Sequence, residues 1–166
     1  GELSIGSLDT IEMHTLYLWY HCMNHVESAS GDGTELFGTT MSLLPTWAAN
    51  SYAFIDCVGE WYIDRDARKI YYKADGTMDD KVAILPMTER IIHMEDCVNV
   101  KFEGVTFEHT SWTYPSIAQY NDQQANTYYE NQKWVQVPAG ILLFRCENIT
   151  FDGCEIRNMG TAGIKL

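Results

Sequence analysis

The sequence predicts an all-β fold, with a β-rich segment over residues 1–85 followed over residues 86–166 by the first coils of a parallel β-helix. Two internal matches and one alternation carry that expectation. CVNVKFEGVTF (Cys97 to Phe107) aligns with CENITFDGCEI (Cys146 to Ile156), at an offset of 146 − 97 = 49 residues. AGILL (Ala139 to Leu143) aligns with AGIKL (Ala162 to Leu166), at an offset of 162 − 139 = 23. A repeat of 23 residues, with 49 − 23 = 26 inserted into its first copy, reconciles the two. Self-similarity of this kind is the mark of stacked repeats.

Each strand of the repeat has one apolar side. Ile92, Ile141 and Ile164 correspond, as do Met94, Leu143 and Leu166, while His93, Leu142 and Lys165 between them vary. Next come Val100/Ile149 and Phe102/Phe151 inside, with Lys101/Thr150 outside. Then follow Val105/Cys154 and Phe107/Ile156 inside, with Thr106/Glu155 outside. Alternation at period two is strand chemistry. Stacked coils would lie about 4.8 Å apart, so like residues would meet. Asn99 over Asn148 predicts a side-chain ladder at a bend, because Asn tolerates positive φ. Gly104 and Gly153 suit a second bend.

A coil buries its face only against neighbours, so a stable stack needs about three or more repeats. One expanded coil, one ordinary coil and the start of another therefore read as the front of a longer protein. The open last coil, with Ile164 and Leu166, is expected to favour self-association.

The N-terminal segment shows no repeat. IEMHTLYLWYH (Ile11 to His21) reads as one long strand, SGDGTE (Ser30 to Glu35) as a turn, and TTMSLLPTW as a strand ended by Pro45. EWYIDRDARKIYYK (Glu60 to Lys73) sets two β-forming runs around a polar reversal and predicts a hairpin. The net charge is −12 and the pI about 4.6, which excludes nucleic acid and anionic membranes as natural partners and disfavours acidic polysaccharides. No apolar run reaches the ~20 residues of a membrane span. Five cysteines without C-x-x-C spacing read as small buried hydrophobes, not a disulfide or zinc framework. A Cys97–Cys146 bridge is nevertheless geometrically conceivable.

The insertion, between Thr110 and Ala139, crowds Trp112, Tyr114, Tyr120, Tyr128, Tyr129 and Trp134 among Asn and Gln. It reads as a loop over 111–138. Two readings stand: flat rings beside amides that bind sugar, or aromatics packed down on the coil. Glu108, His109, Trp112, Tyr114, Tyr120 and Gln124 are the substrate-binding candidates. His109 also fits a satisfied structural imidazole. Glu103 and Asp152 would stack near a bend, and their simpler reading is solvated turn acids. Asp122 and Glu130 are further carboxyls within the loop.

HCMNH (His21 to His25) has metal-ligand spacing only on a helix, and it sits in strand sequence without the glutamate of H-E-x-x-H. Neither SGDGTE nor DGTMDD supplies the carboxylates of a calcium loop. Asn148-Ile149-Thr150 is a glycosylation sequon, but the ladder accounts for its Asn. No metal and no cofactor is expected, and neither a phosphate-binding loop nor a serine elbow is present.

Taken together, GEWYIDR…IYYKADG, VKFEGVTFEHTSW and YPS…QYNDQQA resemble bacterial right-handed parallel β-helix proteins of the pectin-lyase-like superfamily, over about residues 45 to 166. These are related to β-helical glycoside hydrolases that include fucosidases and xylanases. Arg68 stands where the family's hairpin usually has Gly, and Cys57-Val58 where it has an acidic-proline pair. The resemblance implies a secreted or cell-surface protein acting on glycans, with catalytic acids on later coils. The alternative is a non-catalytic glycan-binding or scaffold β-helix.

Overall fold

A computed structural model describes residues 10–30, 36–38, 44–112, 120–121 and 126–166. Among these the regular structure is strand, apart from short 3-10 turns such as Tyr52–Phe54, so the all-β expectation holds. No helix among the described residues is long and apolar enough to cross a membrane. The chain forms two compact units. One comprises Gly1–Lys81 with Thr113–Gln136, the other Val82–Trp112 with Val137–Leu166.

The first unit is antiparallel. Strands β1 (Glu12–Tyr17) and β2 (Tyr20–Ala29) form a hairpin closed at Tyr17↔Tyr20. The long strand expected over Ile11 to His21 is therefore folded in two. Leu18 takes the left-handed conformation at the turn (φ 50°), where the sequence has neither Gly nor Asn to announce it. β3 (Leu36–Gly38) pairs with β2, with a register shift between Val26 and Ser28. β4 (Trp47–Ala49) pairs with β1. Strand β4 begins after Pro45, which has no N–H for the ladder; positions 39–43, which hold most of the strand expected before Pro45, and the turn at 31–35 lie outside the described residues. Ile11, Met13 and Val26 form this sheet's buried cluster. The expected hairpin is present as β5 (Trp61–Asp64) and β6 (Lys69–Tyr72), with Arg68 at φ 54° in its turn.

Three more strands of this unit arise within the segment read as a loop. They are β10 (Tyr120–Asn121), β11 (Thr127–Glu130) and β12 (Lys133–Gln136). β10 pairs with β2, so the sheet runs β12-β11-β10-β2-β1-β4.

The second unit is parallel. β7 (Ile92–Glu95), β8 (Val98–Glu103) and β9 (Thr106–Glu108) are followed by β13 (Ala139–Phe144), β14 (Glu147–Asp152), β15 (Glu155–Arg157) and β16 (Ala162–Lys165). Each pairs with its sequence equivalent. Ile141 faces both Ile92 and Ile164, Val100 faces Ile149, Phe102 faces Phe151, and Phe107 faces Ile156. The inward residues make one core. Met94, Phe107, Ile141 and Leu143 are buried, with Val100, Phe102, Ile149, Phe151 and Cys154 packed against them. Val105, expected inside beside Cys154, is exposed instead.

The bends repeat as well. Asp96/Arg145, Asn99/Asn148, Gly104/Gly153 and His109/Asn158 all have φ between 50° and 64°. Asn148 Nδ2 donates to Asn99 Oδ1 at 2.5 Å, the predicted ladder. Cross-strand cations tie the outer surface. Lys101 lies 3.1 Å from Glu103 and 2.8 Å from Asp152, while Arg145 grips Glu95 and Asp96 beside the Phe144 ring.

Candidate functional site

The most organised polar cluster lies on the β1–β2–β4 sheet. Registered partners share a face of a sheet, and so do residues two apart on one strand. His14 faces Met23 across the hairpin and Trp47 across β4. Glu12 and His14 on β1, His21, Met23 and His25 on β2, and Trp47 on β4 therefore share one face. Thr46 secures β4 beside β1. Its N–H donates to the His14 carbonyl at 2.7 Å, and its Oγ1 accepts from Leu16 N at 3.0 Å.

His14 Nδ1 and His21 Nε2 are 2.9 Å apart, and His14 Nε2 lies 3.2 Å from Glu12 Oε2. The two imidazoles are inclined by only 12° with centroids 5.1 Å apart, so they meet edge to edge nearly in one plane. The Trp47 indole lies over both, at 4.8 Å and 11° from His14 and 5.4 Å and 18° from His21. His14 is buried, whereas Trp47 is 43% exposed. An indole thus rests one face on a hydrogen-bonded histidine pair and offers the rest to solvent. An ionised Glu12 only accepts, so His14 Nε2 donates to it and neutral His14 accepts at Nδ1 from His21. Binding sites commonly pair such apolar faces with a few fixed polar groups.

Comparison with protein-family models, with curated proteins and with solved structures found no match.

The sequence candidates fall into both units. Glu108 ends β9 and accepts from Arg157 Nε at 2.5 Å, and Arg157 also reaches Glu155 at 3.2 Å. That hydrogen bond holds the Glu108 carboxyl below its ordinary range, and Arg145 does the same to Asp96. A general acid needs the opposite shift. His109 occupies a left-handed bend, 3.7 Å from Glu108. Trp112 is half-buried at the end of its segment. Tyr120 sits on β10 opposite Met23, on the same sheet face as the histidine pair, and its hydroxyl donates to Asn126 Oδ1 at 2.6 Å. Tyr114 and Gln124 lie outside the described residues, as does Asp122. Glu130 lies on β11 beside Tyr128, whose hydroxyl is 3.4 Å away.

HCMNH is strand, so His21 and His25 lie roughly 13 Å apart along it and cannot share an ion. Among the described residues, Asp56, Cys57 and Glu60 could gather round a metal. Glu60 Oε2 is already engaged there, accepting from the N–H groups of Asp56 and Cys57 at 2.7 and 2.8 Å. The Cys57 thiol is pushed up, first by its hydrogen bond with Asp56, which opposes the thiolate a metal needs.

Sequence reading missed His14 and Trp47. The available signal was Glu12-x-His14, which puts a carboxylate and an imidazole on one side of a strand. Its partners lie on other strands, and single-strand periodicity does not name them.

Proposed function

We propose that this chain recognises a glycan through the Trp47 platform, as part of a secreted or cell-surface carbohydrate-active protein. The observation that carries the reading is the exposed indole held flat on the His14–His21 pair. Sugar C–H groups stack on such a ring, while adjacent imidazole, carboxylate and phenol groups answer hydroxyls. Tyr120, on the same sheet face, extends the surface.

We also propose that the repeats wind as the opening coils of a right-handed parallel β-helix of the pectin-lyase-like kind. The parallel, in-register pairing of β7, β8 and β9 with β13, β14 and β15 supports this winding, as does the resemblance of the motifs. Hydrolysis in such a protein would use carboxyl groups other than those on the ladders. Glycosidases need two available carboxyls, about 5–9.5 Å apart. Here Glu103 and Asp152 share Lys101, Glu95 and Asp96 share Arg145, and Glu108 and Glu155 share Arg157.

Calorimetry against neutral plant and host oligosaccharides, with Trp47→Ala as the control, tests the recognition. Binding that weakens by about tenfold or more in the variant supports it, matching ~1.4 kcal/mol of lost stacking. Binding indifferent to Trp47, or no binding across the panel, contradicts it.

A further inference from the structure

We infer that Glu12, His14 and His21 form a pH-operated latch that holds the Trp47 platform flat near neutrality and releases it in acid. Its use in glycan capture rests on the reading above; its existence rests on geometry alone.

The 2.9 Å gap between His14 Nδ1 and His21 Nε2 has room for one hydrogen. With both rings neutral, His14 donates to Glu12 and accepts from His21. With one imidazolium, the pair still shares one hydrogen, since His14 can donate at both nitrogens, to Glu12 and to His21. A second proton places N–H against N–H and two like charges 5.1 Å apart between ring centres. His14 is buried and cannot recruit water in place. The rings must part, and the indole stacked on both loses its floor.

The surrounding groups press the same way. Glu12 faces the pair from β1. From β2, His25 stands directly opposite Glu12, and its Nδ1 is buried with no hydrogen-bond partner among the described residues. Protonated His25 would compete for the carboxylate that orients His14. Glu27 is exposed farther along β2, β4 contributes Trp47 and Ala49 but no charge, and β10 contributes Tyr120. Among the described residues, acid therefore loads three imidazoles onto a face where Glu12 is the near carboxylate. Opening takes up one proton, so the open fraction grows about tenfold per pH unit through the transition. Like-charge repulsion opposes the second proton on such a pair, so acid drives the opening.

The test is imidazole 15N NMR on the whole chain from pH 8 to 4, following Trp47–His14 contacts, with oligosaccharide affinity measured alongside. Phe102–Phe151 contacts report global unfolding. His14→Gln is the matched variant: its amide can donate to Glu12 and accept from His21, but it does not titrate. The expected result is a one-proton transition within that pH range. In it His14 and His21 shift together, Trp47 contacts vanish before those of Phe102, and glycan affinity falls about tenfold per unit. His14→Gln should abolish the transition. Trp47 contacts that persist to pH 4, or that vanish identically in His14→Gln, overturn the latch. Should that variant fail to fold, the wild-type series still decides. A latch that opens in a chain binding no glycan at any pH refutes the recognition reading and leaves the latch standing.

Discussion

Phe102 and Phe151 stand ring on ring, with centroids 5.0 Å apart and planes inclined by 17°, although 151 − 102 = 49 positions separate them. They are directly paired residues of parallel strands, and Phe107 meets both rings edge-on. A repeat in sequence has become a contact in space, and the contact has a measurable energy. Phe102→Ala and Phe151→Ala should each destabilise the chain by about 2–4 kcal/mol, at the low end for core phenylalanines because both rings are only partly buried. A double-mutant cycle in urea should give a coupling of about 0.5–1.5 kcal/mol. Strict additivity would show that the rings do not touch.

Gly160 should tolerate no side chain. A Cβ there would come within 2.6 Å of the Ser111 carbonyl carbon and 2.7 Å of the Trp112 nitrogen, both backbone atoms. Its N–H also donates to the Thr110 Oγ1 at 2.9 Å. Gly160→Ala should cost at least about 2 kcal/mol by overpacking. Gly153→Ala meets open space and only the left-handed backbone at φ 59°, so about 1–2 kcal/mol is expected. Thermal denaturation of the two variants should rank them in that order.

The Asn99–Asn148 rung separates backbone from side chain. Asn148→Gly keeps the positive φ but deletes the donor, whereas Asn148→Ala loses both. Alanine should therefore be the worse replacement by about 1 kcal/mol, and urea midpoints would show it. Equal effects would mean that the bend is not left-handed in solution.

Acid should weaken the second unit through Asp96 and Glu108. Hydrogen bonds from Arg145 and Arg157 hold both carboxyls below their unfolded values of about 3.9 and 4.3. A lowered folded value means the stabilisation is complete above those values and is lost as pH falls through the lower, folded ones. Urea midpoints should decline below about pH 4, and less steeply in Arg157→Gln. The groups are exposed, so added salt should shrink the difference.

The pattern of the parallel ladders was open to reading because stacked repeats write their contacts twice. Cys97 to Phe107 and Cys146 to Ile156 disclose register directly. The Glu60–Lys73 hairpin was legible because its turn is local. The turn at Leu18 was not, since apolar residues on both sides hide it. Left-handed bends were visible at Asn and Gly but not at Asp96/Arg145 or His109, where cross-strand pairing and ion pairs hold a conformation those residues seldom adopt alone. The strand at Tyr120 pairs with β2 about a hundred residues away in sequence, and β11, with Tyr128, joins the sheet only through it; local alternation carries no address for such a partner. The histidine pair was hidden for the same reason: HCMNH advertises His21, while its partner His14 and its cover Trp47 arrive from two other strands.

The pairing of each strand with its sequence equivalent can be read most directly from proton–proton Overhauser contacts between 98–103 and 147–152 in the labelled chain. Cross-peaks linking Val100 to Ile149, Phe102 to Phe151 and Lys101 to Thr150, all running the same way along both strands, are the predicted result. Cross-peaks in the reversed order, in a shifted register, or none between these segments in a folded sample, would contradict it.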